Sequence, residues 1–356
     1  LRAGLIANAM DYLLVLLILC IYFWALCSRD DENVLIKRIL RKVGFFLSGI
    51  GFMIYSSDSK GVGPKKNPDP DLLLKKETTT KTIVFIRHGE SDWNNIFNKG
   101  INFKFIINLI KAFIDETMMF PTVNSTFIDS PLNFEGIEQA LELSRFIESE
   151  SEKVSKADPS YRIILALAGK LTDATSVIVS SSLRRAIATT TLGLWPRVSR
   201  TSEKIHILSS LQEVSRNIDT YALAGPNEIA DLPFKRIIPH CGGEGKFSPA
   251  NVYETSQNFG NKRRDFYGIK RLRAFGEWAS TQPEDIIIVG GHSLWFKYFF
   301  QTFMPHNSEH DAKTKKITNS GVVSFTLHTA KGDDGVSYFR IEPSSVQTIY
   351  GGFTSK

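Results

Sequence analysis

The stretch that decides the fold is TIVFIRHGE, residues 82–90. Its first five residues are apolar or β-branched, which predicts a buried strand that ends directly before a cation and an imidazole. Ligands of open α/β sheets bind beyond the carboxyl ends of the strands, so Arg87 and His88 are expected at a binding edge. Arginine presents a planar fork of donors that suits phosphate, and a neutral histidine nitrogen can act as a nucleophile. The Arg-His-Gly turn therefore indicates phosphate chemistry.

The composition narrows the class of protein. A chain of 356 residues that is 42% hydrophobic can form one large domain with appendages. The net charge of +6 comes from dispersed basic residues, whereas a nucleic-acid binder would concentrate them, so we expect no nucleic-acid partner. No zinc-like spacing, P-loop or dinucleotide-binding glycine pattern occurs, and neither a metal nor a cofactor is predicted. Cys241 is the one thiol outside the apolar N-terminal region, which excludes a disulfide framework and favours a reducing compartment.

The N-terminal region is expected to anchor the chain in a membrane. Every residue from Tyr12 to Cys27 is apolar or aromatic, and extending the segment back to Leu5 gives a transmembrane helix over about 5–27. A buried helix of a globular core and a cleaved signal peptide are the alternatives. Basic residues follow the segment at 37, 38, 41 and 42, so the positive-inside rule places the body in the cytosol of a single-pass protein.

Two further segments separate this anchor from the body. Residues 43–55 are apolar but too short to span a bilayer, and could be an interfacial, re-entrant or second apolar helix, so 1–55 is assigned as the anchor region. Residues 56–81 are rich in Asp, Lys, Pro and Gly and predict a linker. The body then occupies 82–352.

Within the body, strand and helix patterns alternate. This alternation predicts a three-layer α/β/α domain around a mainly parallel sheet. Strands are predicted at Thr82–Ile86, Ser176–Ser180, Lys204–Leu208, Asp285–Val289, Val322–Leu327 and Ser337–Ile341. Helices are predicted at Gly136–Glu148, Leu183–Leu194, Lys270–Ser280 and Leu294–Phe303.

Polar and charged motifs follow several of these strands. The sequence SSLRRA at 181–186 opens a helix with an arginine pair, Leu211–Glu213 brings a carboxyl group to a strand end, and Gly290–Ser293 adds a second histidine. Because parallel strands end at one edge of a sheet, these groups are expected to converge on Arg87 and His88. Arginine forks suit a phosphate there.

Taken together the motifs resemble those of the histidine phosphatase superfamily, the phosphoglycerate mutase-like proteins. The resemblance covers essentially the whole body and excludes the N-terminal region. It is carried, in order, by RHGESDWN (87–94), DSPLNFEGIEQA (129–140), SSLRRA (181–186), LQE (211–213) and GHS (291–293).

The resemblance implies a mechanism and a phosphoglycerate mutase-like fold. His88 would be the nucleophile that becomes phosphohistidine, and Glu213 would protonate the leaving oxygen and later activate water. Arg87, Arg185 and His292 would surround the transferred phosphoryl group. A neutral His88 should donate its other ring N–H to a backbone carbonyl, which fixes the tautomer.

Further residues of the motifs are candidates for substrate contacts. Asn94 would contact the phosphoryl group or the substrate, and Ser91 and Ser293 are candidate substrate-binding residues. Arg184 competes with Arg185 for the phosphate, and the spacing before Ala186 selects Arg185.

Two insertions limit what can be read about the substrate. The first, about 95–128, has apolar residues at helical spacing from Phe103 to Ile114; we expect a helix that packs on the domain, with a lid or a membrane contact as alternatives. The second, about 226–264, is expected to wall the pocket.

The expected activity is hydrolysis of a phosphomonoester by a membrane-anchored enzyme. A phosphoglycerate mutase is the alternative, but mutases of the family place a tyrosine three residues after the catalytic glutamate, where this chain has Arg216. A membrane-tethered protein that binds phosphorylated ligands without turnover is a second alternative. The substrate, a phosphorylated small molecule or a phosphoprotein, stays open, as does the oligomeric state.

Overall fold

The computed structural model describes residues 34–73, 78–100, 102–120, 122–232, 234–243, 245–263, 267–332 and 335–355. Its strands are β1 (Thr79–Arg87), β2 (Ser176–Ser181), β3 (Ile205–Leu208), β4 (Tyr253–Glu254), β5 (Ile286–Gly291), β6 (Lys316–Ile317), β7 (Val322–Lys331), β8 (Ser337–Ile341), β9 (Gln347–Tyr350) and β10 (Phe353–Thr354). The longer helices are α1 (Val34–Tyr55), α4 (Phe103–Met118), α5 (Phe134–Lys153), α6 (Tyr161–Ala168), α7 (Arg184–Gly193), α8 (Trp195–Thr201), α11 (Gly268–Thr281) and α12 (Ser293–Phe303). Short helices are α2 (Pro70–Leu73), α3 (Asp92–Phe97), α9 (Phe234–Ile237), α10 (Pro249–Val252) and α13 (Asp311–Thr314).

One mixed sheet forms the centre of the body. Its strand order is β4-β3-β2-β5-β1-β7-β8, with β9 paired to β7. The pairs from β4 to β1 are parallel, and β7 and its partners are antiparallel. The predicted α/β class with a mainly parallel sheet is therefore confirmed.

Alternation along β1 explains the layering. Val84 and Ile86 join a buried cluster with α5, α6, α7 and α8 on one face of the sheet. Ile83 and Phe85 join a second cluster with α11 and α12 on the other face. Successive strand side chains point to opposite faces, so the apolar run 83–86 needs helices on both sides of the sheet. Phe85 stacks on Phe296 of α12 with ring centroids 4.0 Å apart.

Two motif glycines allow the turn after β1 to lie against α5. A Cβ built on Gly136 would lie 2.1 Å from the carbonyl oxygen of Glu90, and one built on Gly89 would lie 2.5 Å from that of Gly136. No side chain fits at either position. The backbone that carries His88 is therefore held against the first turn of α5.

The N-terminal side of the body differs from the sequence prediction. Residues 43–55 form part of the single helix α1, which buries Lys42 and Phe52. In the stretch 56–81, predicted as a linker from its composition, Asp58 is fully buried and Val62 nearly so, and residues 79–81 belong to β1. The polar residues that suggested a linker include Asp58, which finds buried cationic partners.

No helix among the described residues has the length and apolar character needed to cross a membrane. The predicted transmembrane segment, about 5–27, lies outside those residues.

The helix predicted within the first insertion is present as α4, but its orientation is not the expected one. The prediction that its apolar residues pack on the domain is wrong: Phe103 is 77% exposed and Ile110 56% exposed. The face that contacts the body carries Ala112 and Glu116 instead. A buried ion pair, Lys42 to Glu116 at 2.8 Å, joins this face to α1.

The packing of Gly136 predicts a specific defect. Gly136→Ala should destabilise the fold by about 1–3 kcal/mol, because the added methyl group collides with backbone that cannot move freely. It should also displace the turn that carries His88. Gly44→Ala on α1 is the matched control, since no atom lies within 4 Å of its added Cβ. Equal unfolding midpoints in urea for the two variants would contradict this account.

Candidate active site

Four segments that follow strands bring charged and ring side chains together. Arg87 ends β1 and His88 follows it, while His292 follows β5. The register pairs Arg87 with Gly291, and the His88 N–H donates to the Gly291 carbonyl at 3.0 Å. The two imidazole centroids lie 5.2 Å apart. The parallel pairing of β1 and β5 thus fixes the distance between the histidines.

One tautomer of His88 is set by its own turn. Nδ1 lies 2.6 Å from the carbonyl oxygen of Gly89, and since a carbonyl can only accept, Nδ1 carries the hydrogen. Nε2 is therefore the nitrogen that carries the lone pair, and it accepts a hydrogen bond from the Arg185 Nε–H at 3.3 Å. Burial, together with the positive charges of Arg185 and Arg87, lowers the pKa of His88 well below its usual range. The expected donation to a backbone carbonyl is confirmed, and the ring is neutral.

Arg185 lies directly against this nitrogen. Its Nε is 3.3 Å from Nε2 of His88, and its other end donates to the Asp219 carbonyl at 2.8 Å. The Asp219 carboxylate is 3.3 Å from the same guanidinium, and both side chains are almost completely buried. Burial raises the pKa of Asp219 to about 6, against the opposing effect of Arg185. Asp219 holds Arg185 in place. Because Asp219 lies outside the recognised motifs, the sequence does not predict this role.

Two more buried side chains, Arg87 and His292, each leave one nitrogen without a partner among the described residues. Arg87 donates through NH1 to the Ile317 carbonyl at 2.6 Å, but its Nε has no hydrogen-bond partner among the described residues. Burial lowers the pKa of Arg87 to about 10, so the group stays charged at neutral pH. His292 Nε2 lies 2.8 Å from the Ser181 hydroxyl, and its Nδ1 likewise has no partner there. Buried polar atoms are normally paired, so unpaired ones mark a place for a bound group.

The carboxylate of Glu213 sits at the start of α12. Its oxygens accept the backbone N–H groups of Trp295 at 2.8 Å, Leu294 at 3.2 Å and Val214 at 2.9 Å. A helix N-terminus favours a carboxylate there. The helix that follows His292 therefore fixes Glu213 beside the cationic groups.

A carboxylate also accepts a backbone N–H at the N-terminus of α7. Asp129 accepts the backbone N–H of Arg184 at 2.8 Å, and the Arg184 side chain donates to carbonyls of residues 125, 128 and 129. Arg184 is thus committed to holding that loop, whereas Arg185 contacts His88. These contacts agree with the choice of Arg185 over Arg184. Protein carboxylates fill both helix N-termini, so side chains are left to bind a phosphate.

The three predicted substrate-binding residues have different surroundings. Ser91 is fully buried and caps α3, because its hydroxyl accepts the N–H of Asn94 at 3.2 Å. The Asn94 side chain accepts from Asn98 at 2.8 Å and is half-buried. Ser293 begins α12 and is nearly buried. Within the described part of the chain, none of the three donates to or accepts from the charged groups above.

A buried cluster outside the motifs supports the Glu213 loop. Asp58 pairs with Lys262 at 3.0 Å and with Arg271, and accepts the Ser215 N–H at 3.1 Å. Lys262 donates to the Glu213 carbonyl at 2.6 Å, and Arg271 donates to the same carbonyl at 3.2 Å. The backbone of the candidate acid is therefore held from behind by two cations and one carboxylate.

In this cluster, burial and the neighbouring charges have opposing effects on the pKa values of Asp58 and Lys262. Burial acts to raise the pKa of Asp58, but the charges of Lys262 and Arg271 outweigh it and the net shift is downward. Burial lowers the pKa of Lys262 to about 8. The same ammonium lies 4.8 Å from the ring of Phe52 on α1. The N-terminal helix thus contacts the support of the site, which the sequence did not reveal because 204 residues separate Asp58 from Lys262.

Comparisons with known proteins found solved structures only. No protein-family model matches the chain, and no curated protein is similar to it in sequence. A structure described as a mycobacterial hydrolase is 13% identical, covers 77% of this chain and 100% of its own, and superposes with a TM-score of 0.33. A mycobacterial glucosyl-3-phosphoglycerate phosphatase is 14% identical over 74% of this chain and 97% of its own, with a TM-score of 0.32.

A third similar structure is the ecdysone phosphate phosphatase of Bombix mori in complex with tungstate. It is 11% identical, covers 74% of this chain and 92% of its own, and has a TM-score of 0.33.

The depressed pKa of His88 predicts a loss of stability in acid. Below about pH 6.5 the unfolded chain protonates this histidine while the folded chain does not, so stability falls by up to about 1.4 kcal/mol per pH unit. Between about pH 6.5 and 5, the unfolding free energy of His88→Asn should change less steeply with pH than that of the wild type, by up to about 1.4 kcal/mol per pH unit. His206→Asn on β3 is the control for the substitution itself, because it replaces an imidazole that lies outside the site. Identical slopes for wild type and His88→Asn would contradict the buried, neutral histidine.

The Asp58 cluster predicts a second effect on stability. Asp58→Asn leaves two buried cations without their carboxylate and should lower the unfolding free energy by about 3–5 kcal/mol. The rate of turnover should fall as well, because the Glu213 backbone loses its support. Asp173→Asn removes one side of an exposed pair with Arg162 and should change stability by less than about 0.5 kcal/mol. Urea unfolding measures both, and an Asp58→Asn variant as stable as Asp173→Asn would refute the role of the cluster.

Proposed function

We propose that this chain is a histidine phosphatase: a hydrolase of phosphomonoesters that acts through a phosphohistidine on His88. One observation carries the proposal. A neutral imidazole carries the lone pair of Nε2 3.3 Å from the Nε of Arg185, and among the described residues the buried Arg87 and His292 each keep one nitrogen without a hydrogen-bond partner. Such an arrangement suits the charge that develops on a transferring phosphoryl group.

In the first step the lone pair of His88 Nε2 attacks phosphorus, and the bond from phosphorus to the ester oxygen breaks. The ester oxygen takes a proton from Glu213 and leaves as an alcohol. Arg87, Arg185 and His292 bind the three equatorial oxygens while their charge rises. The Nδ1–H of His88 stays on the Gly89 carbonyl and stabilises the positive charge that develops on the ring.

In the second step water attacks the phosphohistidine. Glu213, now a carboxylate, takes the proton from that water, the phosphorus–nitrogen bond breaks, and inorganic phosphate leaves. The neutral imidazole and the protonated Glu213 are restored. Arginine and histidine side chains supply all the charge stabilisation in this scheme, so we propose that no metal is required.

The residues that follow Glu213 favour hydrolysis over a mutase reaction, in which the phosphoryl group would be kept from water. Arg216 occupies the position where mutases of the family carry a tyrosine, and its side chain is exposed to solvent. A mutase must hold a second anionic group of its substrate and exclude water. We therefore assign hydrolysis of a phosphorylated small molecule or phosphoprotein.

We also propose that the segment about 5–27 anchors this enzyme in a membrane with its body in the cytosol. The uninterrupted apolar run from 12 to 27 supports the anchor, and the basic residues at 37, 38, 41 and 42 support the orientation. Protease protection of the full chain in sealed vesicles tests the orientation, and a protected body would reverse it.

The proposed reaction predicts that turnover is lost when the nucleophilic ring nitrogen of His88 is removed. His88→Asn should reduce phosphate release from a panel of phosphomonoesters to background, because the amide cannot form the covalent intermediate. The control His206→Asn should retain wild-type activity, and EDTA should leave both enzymes unchanged. The assay uses the full chain and measures free phosphate.

Three results would overturn the assignment. Turnover that survives His88→Asn would exclude the phosphohistidine route. Phosphoryl transfer to a second alcohol without phosphate release would identify a mutase. Tight binding of phosphorylated ligands by the wild-type chain with no turnover would identify a binding protein.

A further inference from the structure

Helix α4 carries its apolar residues on the side away from the body. We define the outer face as Phe103, Ile106, Ile107, Ile110, Phe113, Ile114 and Met118, which are between 49% and 77% exposed. At 100° per residue they occupy an arc of roughly 140° on the helix surface. Surface helices of globular proteins normally turn such an arc toward the core. In α4 the arc meets solvent.

The opposite side of α4 shows that this orientation is built in. Ala112 and Glu116 are buried against the body, and Glu116 forms the ion pair with Lys42 of α1. Lys42 also donates to the carbonyl oxygen of Met119 at 3.0 Å, just past the end of the helix. Asn108 donates to the carbonyl of Asn95 on α3 at 3.5 Å. Polar contacts therefore hold the helix with its apolar arc outward, and rotating it would break them.

The fully exposed charged side chains of α4, Lys104 and Lys111, are both cations, while the half-buried Asp115 lies on the same side of the helix as these lysines. Apart from the apolar residues, the exposed positions of α4 are Lys104, Lys111 and Thr117, and no carboxylate of this helix is exposed. Both lysines project from one border of the arc. An apolar face with lysines at its border is the pattern of helices that lie in the interface of a membrane with anionic lipids.

The path of the chain brings α4 near the proposed anchor. Six residues lie between Cys27 and Val34, which limits the separation of these two to about 25 Å. Lys42, two turns into α1, contacts the C-terminal end of α4 directly. The exposed Lys37, Arg38 and Arg41 lie on the anchor-proximal part of α1. If the proposed anchor spans a bilayer, α4 is held close to its surface.

From these observations we infer that the outer face of α4 is a membrane-docking surface that inserts among the lipids of a bilayer with anionic headgroups. The helix would lie along the interface, with the outer face toward the acyl chains and Lys104 and Lys111 at the phosphate groups. This inference goes beyond the proposed anchor at about 5–27, because α4, which is distant from that segment in sequence, would also bind the lipid.

The test places a fluorophore on the outer face of the full chain. Ile110→Cys and Phe113→Cys each introduce one exposed thiol in a background with Cys20→Ala and Cys27→Ala; the remaining Cys241 is fully buried. The labelled protein is reconstituted in phosphatidylcholine–phosphatidylserine vesicles that carry a spin-labelled acyl chain, which quenches fluorescence within the bilayer.

Two further labelled positions serve as controls. Glu152→Cys lies near the exposed C-terminal end of α5, roughly five helical turns from the start of that helix beside α4. Val15→Cys reports on the anchor segment separately, so that a failure of the anchor can be told from a failure of the outer face. Both measurements use the same vesicles and aqueous iodide as the opposing quencher.

Severalfold stronger lipid quenching at positions 110 and 113 than at 152, with matching protection from iodide, is the expected result. Iodide access at 110 in vesicles whose position 15 is quenched by lipid would overturn the inference. Protection at 110 in detergent without lipid, unchanged by vesicles, would also overturn it, because a second copy or another part of the chain would then cover the face. Failure of the chain to associate with the vesicles counts equally against it.

Discussion

The hydrogen bond from Nδ1 of His88 to the carbonyl of Gly89 is the constraint on which the site depends. It leaves the lone pair on Nε2, the nitrogen that lies beside Arg185. The turn that contains this bond lies against α5, and so close an approach requires glycine at positions 89 and 136. Burial then keeps the ring neutral, which a nucleophile needs.

Concentrating cations around one imidazole requires anions behind them. Asp219 holds Arg185, and Asp58 holds Lys262 and Arg271 beneath the Glu213 loop. The Asp219 carboxylate lies 3.3 Å from the Arg185 guanidinium, and the Asp58 carboxylate is paired with both Lys262 and Arg271. The cations therefore remain in place without neutralising the side from which a phosphate would approach. Positive charge fixed in advance is what phosphoryl transfer demands of a protein.

The sequence predicted the strand ends and their motifs because these are local: an apolar run followed by Arg87 and His88 is contiguous in the chain. The sequence could not predict the supporting role of Asp58. Its partner Arg271 is 213 residues away, and the composition of the surrounding segment is typical of a linker. The periodicity of α4 correctly predicted a helix, but periodicity states which residues share a face and not what covers that face. The pattern alone therefore predicts that α4 packs its apolar arc on the domain, whereas the contacts of α4 with α1 and α3 turn that arc outward.

The most direct measurement is the site of phosphorylation on His88. Rapid quenching of the full chain during turnover, followed by ³¹P NMR of the denatured protein in alkali, distinguishes the two ring nitrogens. The account predicts phosphate on Nε2, because Nδ1 is held by the Gly89 carbonyl. Phosphate on Nδ1 of His88, on another residue, or on no residue during active turnover would contradict it.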